Sequence, residues 1–206
     1  MSEDRDQIPM TPAAPPNFGC TLVWWGNGKG KTTAATGMAI RAAGRGYRVH
    51  ILRFMKGGWK TGENAAIDTL PTASVETQGH PGWHGQADGT NDADHAAQAK
   101  RALARTRELL AAADETDLAT PLSGPPEEGV HMLVLDEVLY AVEHGLVEAD
   151  AVVRLVESKP SDLELVLTGG HDRPAYLVDS VDLISEVTNH KHPAEAGIDA
   201  RRGIEY

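Results

Sequence analysis

Residues 26–33 read Gly-Asn-Gly-Lys-Gly-Lys-Thr-Thr and follow the apolar run Cys20-Thr21-Leu22-Val23-Trp24-Trp25. A strand that runs through a glycine-rich turn into a helix builds a phosphate cradle. Glycines let the backbone turn tightly, so that N–H groups converge on one anion. The helix adds its positive N-terminal end. Gly26, Asn27, Gly28, Lys29, Gly30, Lys31, Thr32 and Thr33 are therefore the candidate triphosphate-binding residues. Lys31 is placed to reach phosphate oxygens, and the Thr32 hydroxyl to hold Mg²⁺ or Mn²⁺. The general P-loop pattern would put its first glycine at position 25, which is Trp25. Gly26 comes one place late, so the loop is one residue short. That points to a subgroup that holds the triphosphate in an unusual way.

Leu133-Val134-Leu135-Asp136-Glu137 supplies the second half of a site. An apolar strand ending in acids sets carboxylates at the carboxyl edge of a parallel sheet, where open α/β folds bind ligands. Asp136 and Glu137 are the candidates to hold the metal, directly or through water. The pair alone is a common sequence; beside a P-loop it is specific.

The histidines invite a metal reading that the surroundings do not support. His80 and His84 stand four apart, but among Pro81, Gly82 and Gly85 rather than on a helix, and no cysteine or ordered set of acids completes a zinc site. Trp59 and Trp83 lie in glycine-rich stretches, not in periodic ones. Each is either a cap folded on the core or a flat apolar wall for a large planar ligand.

These residues need a frame. Strands are expected at Cys20–Trp25, Val49–Phe54, near Ser74–Thr77, at Met132–Leu135, Leu163–Thr168 and Asp182–Val187. Helices are expected at Lys31–Ala43, Asp92–Ala113 and Ala149–Glu157, with loops over residues 56–63, 78–91 and 120–129. Alternating strands and helices predict an α/β fold, a mostly parallel sheet with helices on both faces. Residues 1–18 are polar and proline-rich and read as a flexible arm; residues 19–206 read as one domain.

The chain has 206 residues with 19 Lys and Arg against 30 Asp and Glu, a formal net charge of −11. That balance argues against a nucleic-acid binder. It would suit a salt-rich cytoplasm, where ions screen self-repulsion. No signal peptide or membrane span is read, and the single cysteine, Cys20, excludes an internal disulfide. A cytoplasmic protein is expected, with Cys20 as a small buried apolar residue.

The shortened loop resembles that of the ATP:corrinoid adenosyltransferases of the CobA/CobO/BtuR type. The likeness continues in Phe54-Met55-Lys56-Gly57, Gly62-Glu63-Asn64, Val134-Leu135-Asp136-Glu137 with Tyr140, Thr168-Gly169, and Lys191-His192-Pro193 through Gly203-Ile204-Glu205-Tyr206. It runs from about residue 19 to the end. The resemblance implies a RecA-like P-loop NTPase sheet, usually in a homodimer. It implies transfer of the 5′-deoxyadenosyl group of ATP to the Co(I) of a corrinoid, with release of triphosphate. The corrinoid would be cobalamin, cobinamide or cobyrinic acid a,c-diamide. Lys31 and Glu137 are then the candidate catalytic residues, and Trp83, Trp59, Glu63 and His80 the candidate corrinoid contacts. With no flavin signature in the chain, the electron comes from a separate donor of flavoprotein or ferredoxin type.

Two departures from the family pattern stand out. Thr168-Gly169-Gly170 replaces the usual Thr-Gly-Arg, with Arg173 the nearest substitute. Gly79-His80-Pro81-Gly82-Trp83 replaces Gly-Phe-Thr-Trp. The competing readings are an ordinary P-loop ATPase or kinase that transfers the γ-phosphoryl group, and a carrier without catalysis. An intact Lys31, Thr32 and Asp136 argue against the carrier.

Overall fold

The computed structural model describes residues 18–55, 61–79, 92–119 and 124–205. Elements run β1 (Thr21–Trp25), α1 (Lys31–Ala43), β2 (Val49–Phe54), α2 (Gly62–Ile67), β3 (Ala73–Gln78), α3 (Asp92–Asp114), β4 (Met132–Asp136), α4 (Val138–Glu143), α5 (Ala149–Ser158), β5 (Glu164–Thr168) and β6 (Leu183–Glu186), with two short 3₁₀ turns among them and a third after β6. The strands form one sheet of order β3-β2-β4-β5-β1-β6, and every pairing is parallel. β5 stands between the phosphate-loop strand β1 and the acid-bearing strand β4. This is the α/β arrangement that the alternating strands and helices predict, and it agrees with the RecA-like P-loop NTPase sheet that the resemblance implies.

Alternate residues of each central strand feed two cores, as the twofold pleat requires. Leu133, Leu135, Leu165 and Leu167 pack with α3, α4 and α5. Met132, Val134 and Val166 pack with α1 and α2 on the other face. α1 meets the sheet through Ala35, Ala39, Ala42 and Ala43, so small side chains bring the loop's helix close to the strands. Strands buried on both faces read as continuous apolar runs, and β4 is buried at all five positions.

The structure departs from the sequence reading in a few places. The loop expected through residue 63 ends earlier, because α2 starts at Gly62. α4 was not expected; it follows Glu137, whose φ of 66° turns the chain sharply out of β4. Cys20 is half-buried rather than buried. Burial and then nearby Glu164 raise its thiol pKa. The expected arm over 1–18 lies outside the described residues except for Phe18, which stacks on Tyr47.

A buried histidine sets a pH limit on this core. The His131 Nδ1 accepts the Arg48 backbone N–H at 3.0 Å. Its Nε2 faces the Leu118 carbonyl at 3.1 Å. A ring that accepts at Nδ1 and donates at Nε2 is neutral, and a second proton would have to point at an N–H. Burial accordingly lowers the His131 pKa, against the raising effect of the Leu118 carbonyl, and His50 is lowered by burial too. A depressed folded-state value means that these residues contribute stability above the unfolded pKa of about 6.5, lost as pH falls below it toward the folded value. The melting temperature should drop between about pH 7 and pH 5. His131→Gln should start lower and show a shallower drop; an equally steep drop would remove His131 as a cause.

Candidate active site

The strand ends, α1 and the chain's last residues enclose a cavity of about 610 Å³. Gly28 to Thr33 form one side, Thr61 to Glu63 and Glu137 another, and Gly203 to Glu205 a third. Three loop N–H groups are already bonded within the protein. Gly26 N–H donates to the Gly170 carbonyl at 3.0 Å and Gly28 N–H to the Val187 carbonyl at 2.7 Å. Lys29 N–H donates to Asn189 Oδ1 at 3.1 Å. A Cβ on Gly28 would sit 2.6 Å from the Val187 oxygen, so only glycine fits there. These three N–H groups already have partners within the protein, so a phosphate cradle built on them would be narrower than the sequence suggests.

The Lys31 ammonium donates to the Gly26 carbonyl at 2.5 Å and to the Gly28 carbonyl at 3.1 Å, so it lies against the loop itself. Lys29 turns the other way, to Glu205 Oε1 at 2.5 Å and the Ile204 carbonyl at 3.3 Å. Bonds from Arg201 first, and from Lys29, pull the Glu205 pKa down to about 2. The C-terminal segment is therefore a wall of the cavity, which the sequence did not indicate as more than a family signature.

Asp136 is 1% exposed. Its Oδ1 accepts the Thr32 hydroxyl at 2.9 Å and the Thr168 hydroxyl at 2.7 Å. Thr168 Oγ1 also accepts the Glu137 N–H at 3.0 Å, fixing the left-handed residue that follows the acid. Gly169 allows the close approach: a Cβ there would lie 3.0 Å from Glu137 Cα and 2.9 Å from Tyr140 N. Thr32, Asp136 and Glu137 are hard oxygen donors of the kind Mg²⁺ takes. Among the described residues no group of three or more His, Cys, Asp or Glu is gathered to hold a metal ion. A Mg²⁺ at this place would therefore share its shell with the nucleotide's phosphates, as P-loop proteins do.

The residue that sequence reasoning missed is Arg53. It is 1% exposed. Its Nη1 donates to Thr61 Oγ1 at 3.1 Å and its Nη2 to Glu63 Oε1 at 3.2 Å. Its Nε stands 3.7 Å from Asp136 Oδ2. A permanent charge near the end of a mostly apolar strand, Val-His-Ile-Leu-Arg-Phe, was the available signal. Arg173, the expected substitute for the missing family arginine, is exposed and does not line the cavity. The guanidinium that reaches the acids comes from β2 instead. Glu63, expected on the corrinoid side, lines the same cavity as the loop. Trp59, Trp83 and His80 lie outside the described residues.

A family model described as "ATP:corrinoid adenosyltransferase BtuR/CobO/CobP" matches residues 17–206. The chain belongs to the ATP:corrinoid adenosyltransferase family. A corrinoid adenosyltransferase of Pseudomonas aeruginosa is 33% identical over 188 residues, covering 91% of this chain and 84% of the relative. The corrinoid adenosyltransferase CobA of Salmonella typhimurium is 33% identical over 190 residues, covering 91% and 86%. That of Escherichia coli K12 is 31% identical over 190 residues, with the same coverage. In this family member no helix among the described residues is long and apolar enough to cross a membrane.

Proposed function

We propose that this adenosyltransferase moves the 5′-deoxyadenosyl group of ATP onto the Co(I) of a corrinoid and releases triphosphate. Family membership over nearly the whole chain carries the reading, and the cavity is consistent with its chemistry. Co(I) is itself a very strong nucleophile, so the protein has no nucleophile to activate and no base to supply. It must hold C5′ in line with cobalt and stabilise the departing triphosphate. Lys31, the N–H groups at the start of α1 and the positive end of that helix do the second task. Thr32, Asp136 and Glu137 would hold Mg²⁺, which supplies charge neutralisation on the phosphates. Glu137, at its left-handed turn after β4, lines the cavity and is the second proposed catalytic residue.

The reading sets the triphosphate in the loop reversed from ordinary NTPases, which turns C5′ toward the corrin. Trp83, Trp59 and His80 are its proposed corrinoid contacts. A separate electron donor of flavoprotein or ferredoxin type, a homodimer and a cytoplasmic location complete it. The test is chemically reduced corrinoid with MgATP. A cobalt–carbon product should appear in the absorption spectrum, in step with inorganic triphosphate. ADP and orthophosphate with no new cobalt–carbon bond would instead make the chain an ordinary P-loop phosphotransferase.

A further inference from the structure

The Lys31 ammonium rests on the Gly26 and Gly28 carbonyls, so its place depends on how the peptides of the loop point. The Gly28 carbonyl and the Lys29 N–H belong to one peptide group. A trans peptide directs the two to opposite sides. On one side Lys31 Nζ donates to the carbonyl at 3.1 Å. On the other the Lys29 N–H donates to Asn189 Oδ1, also at 3.1 Å. Gly28 has no side chain to resist rotation of this plane. The partner of the N–H therefore decides which way the carbonyl faces.

Asn189 holds the preceding peptide as well. Its Nδ2 donates to the Asn27 carbonyl at 3.2 Å. The N–H of that same peptide, on Gly28, donates to the Val187 carbonyl at 2.7 Å. The Asn189 N–H adds a longer contact of 3.4 Å to Asn27 Oδ1. One side-chain amide thus accepts from one peptide and donates to its neighbour, as a further peptide of a strand would. The two roles cannot be exchanged, since an N–H only donates and a carbonyl only accepts. Asn189 lies just beyond β6 and stands outside the residues that line the cavity. It reaches the chemistry only through the loop.

We propose that Asn189 is a positioning residue, which sets the plane of the Gly28–Lys29 peptide and so preorganises Lys31 for the departing triphosphate. This rests on the adenosyl-transfer reading and on the part that Lys31 takes in it. A charge already in place needs no reorganisation when the reaction reaches its transition state.

A double-mutant cycle on the full chain tests it. Turnover is measured with chemically reduced cobalamin and MgATP, and affinity for inorganic triphosphate by calorimetry. Asn189→Ala should lower turnover about tenfold and weaken triphosphate binding, on the scale of one hydrogen bond. Its melting temperature should stay near the parent's, because water can replace the lost partners at this half-buried place. In a Lys31→Ala background the same replacement should change neither turnover nor triphosphate affinity, because the carbonyl then has no ammonium to hold. Equal losses in both backgrounds overturn the assignment. So does an Asn189→Ala protein with parental turnover and triphosphate affinity. Failure of the underlying reading shows separately: near-normal turnover in Lys31→Ala alone removes the premise about Lys31, and ADP in place of triphosphate among the products removes adenosyl transfer itself.

Discussion

Lys31→Ala is expected to lower turnover by about two orders of magnitude or more, the loss seen when one preorganised charge-stabilising donor is removed. The reasoning is electrostatic. Two loop carbonyls hold the ammonium at 2.5 Å and 3.1 Å, already over the loop proposed to take the leaving triphosphate. Exchange of neutral carbonyls for charged phosphate oxygens strengthens each hydrogen bond roughly twofold. The gain grows as negative charge collects on the departing group. The fold should survive, because Gly28 and Lys29 remain tied to Val187 and Asn189. Circular dichroism and melting temperature should stay near the parent, while affinity for inorganic triphosphate falls. A folded variant with near-normal turnover would remove Lys31 from the mechanism.

Asp136→Asn is expected to act on both activity and stability. The amide keeps the shape, and its oxygen can still accept from Thr32 and Thr168. Its NH₂ would then face Arg53, where Oδ2 now stands 3.7 Å from Nε. Glu63 still balances the guanidinium, so the loss should be about 1–3 kcal/mol rather than that of an uncompensated buried charge. For a chain of this size each kcal/mol is about 2–4 °C in melting temperature. Half-saturation by Mg²⁺ should rise at least about tenfold, and turnover at saturating ATP should fall by about two orders of magnitude. A lowered melting temperature with an unchanged Mg²⁺ titration would make Asp136 a structural partner of Arg53 alone.

Much of the frame was legible because the sheet is buried on both faces. β2, for example, is a continuous run between glycine-rich turns, and it begins and ends where its residues predict. α1 was equally legible, from the loop before it and Gly44 after it. α2 was not, because Gly-Glu-Asn-Ala-Ala-Ile has no apolar stripe and buries Ile67 alone. The site divides the same way. Lys31, Thr32, Asp136 and Glu137 announce themselves by local spacing, since one turn or one strand end positions each. Arg53 and the chain end act only through partners distant in sequence. Arg53 matters because the fold sets it beside Asp136 and Glu63, and Glu205 because the fold sets it on Lys29. Local pattern marks Arg53 only as a charge within a buried strand, and does not say which residues it meets.

The phosphate loop also depends on an unusual order of assembly. Among the described residues β1, which carries it, is the first strand, yet its neighbours in the sheet are β5 and β6, the last two. Thr21 pairs with Leu165 and Leu22 with Leu183, most of the chain away. Such closures cost chain entropy before they return any contact, and they slow folding. β2, β3 and β4 have partners available earlier in synthesis, so that half of the sheet can form while β1 still waits. The proposed nucleotide site then takes shape only after β5 and β6 are made, and a nascent chain that stops before β5 carries the whole P-loop sequence without the strands that set it in the sheet.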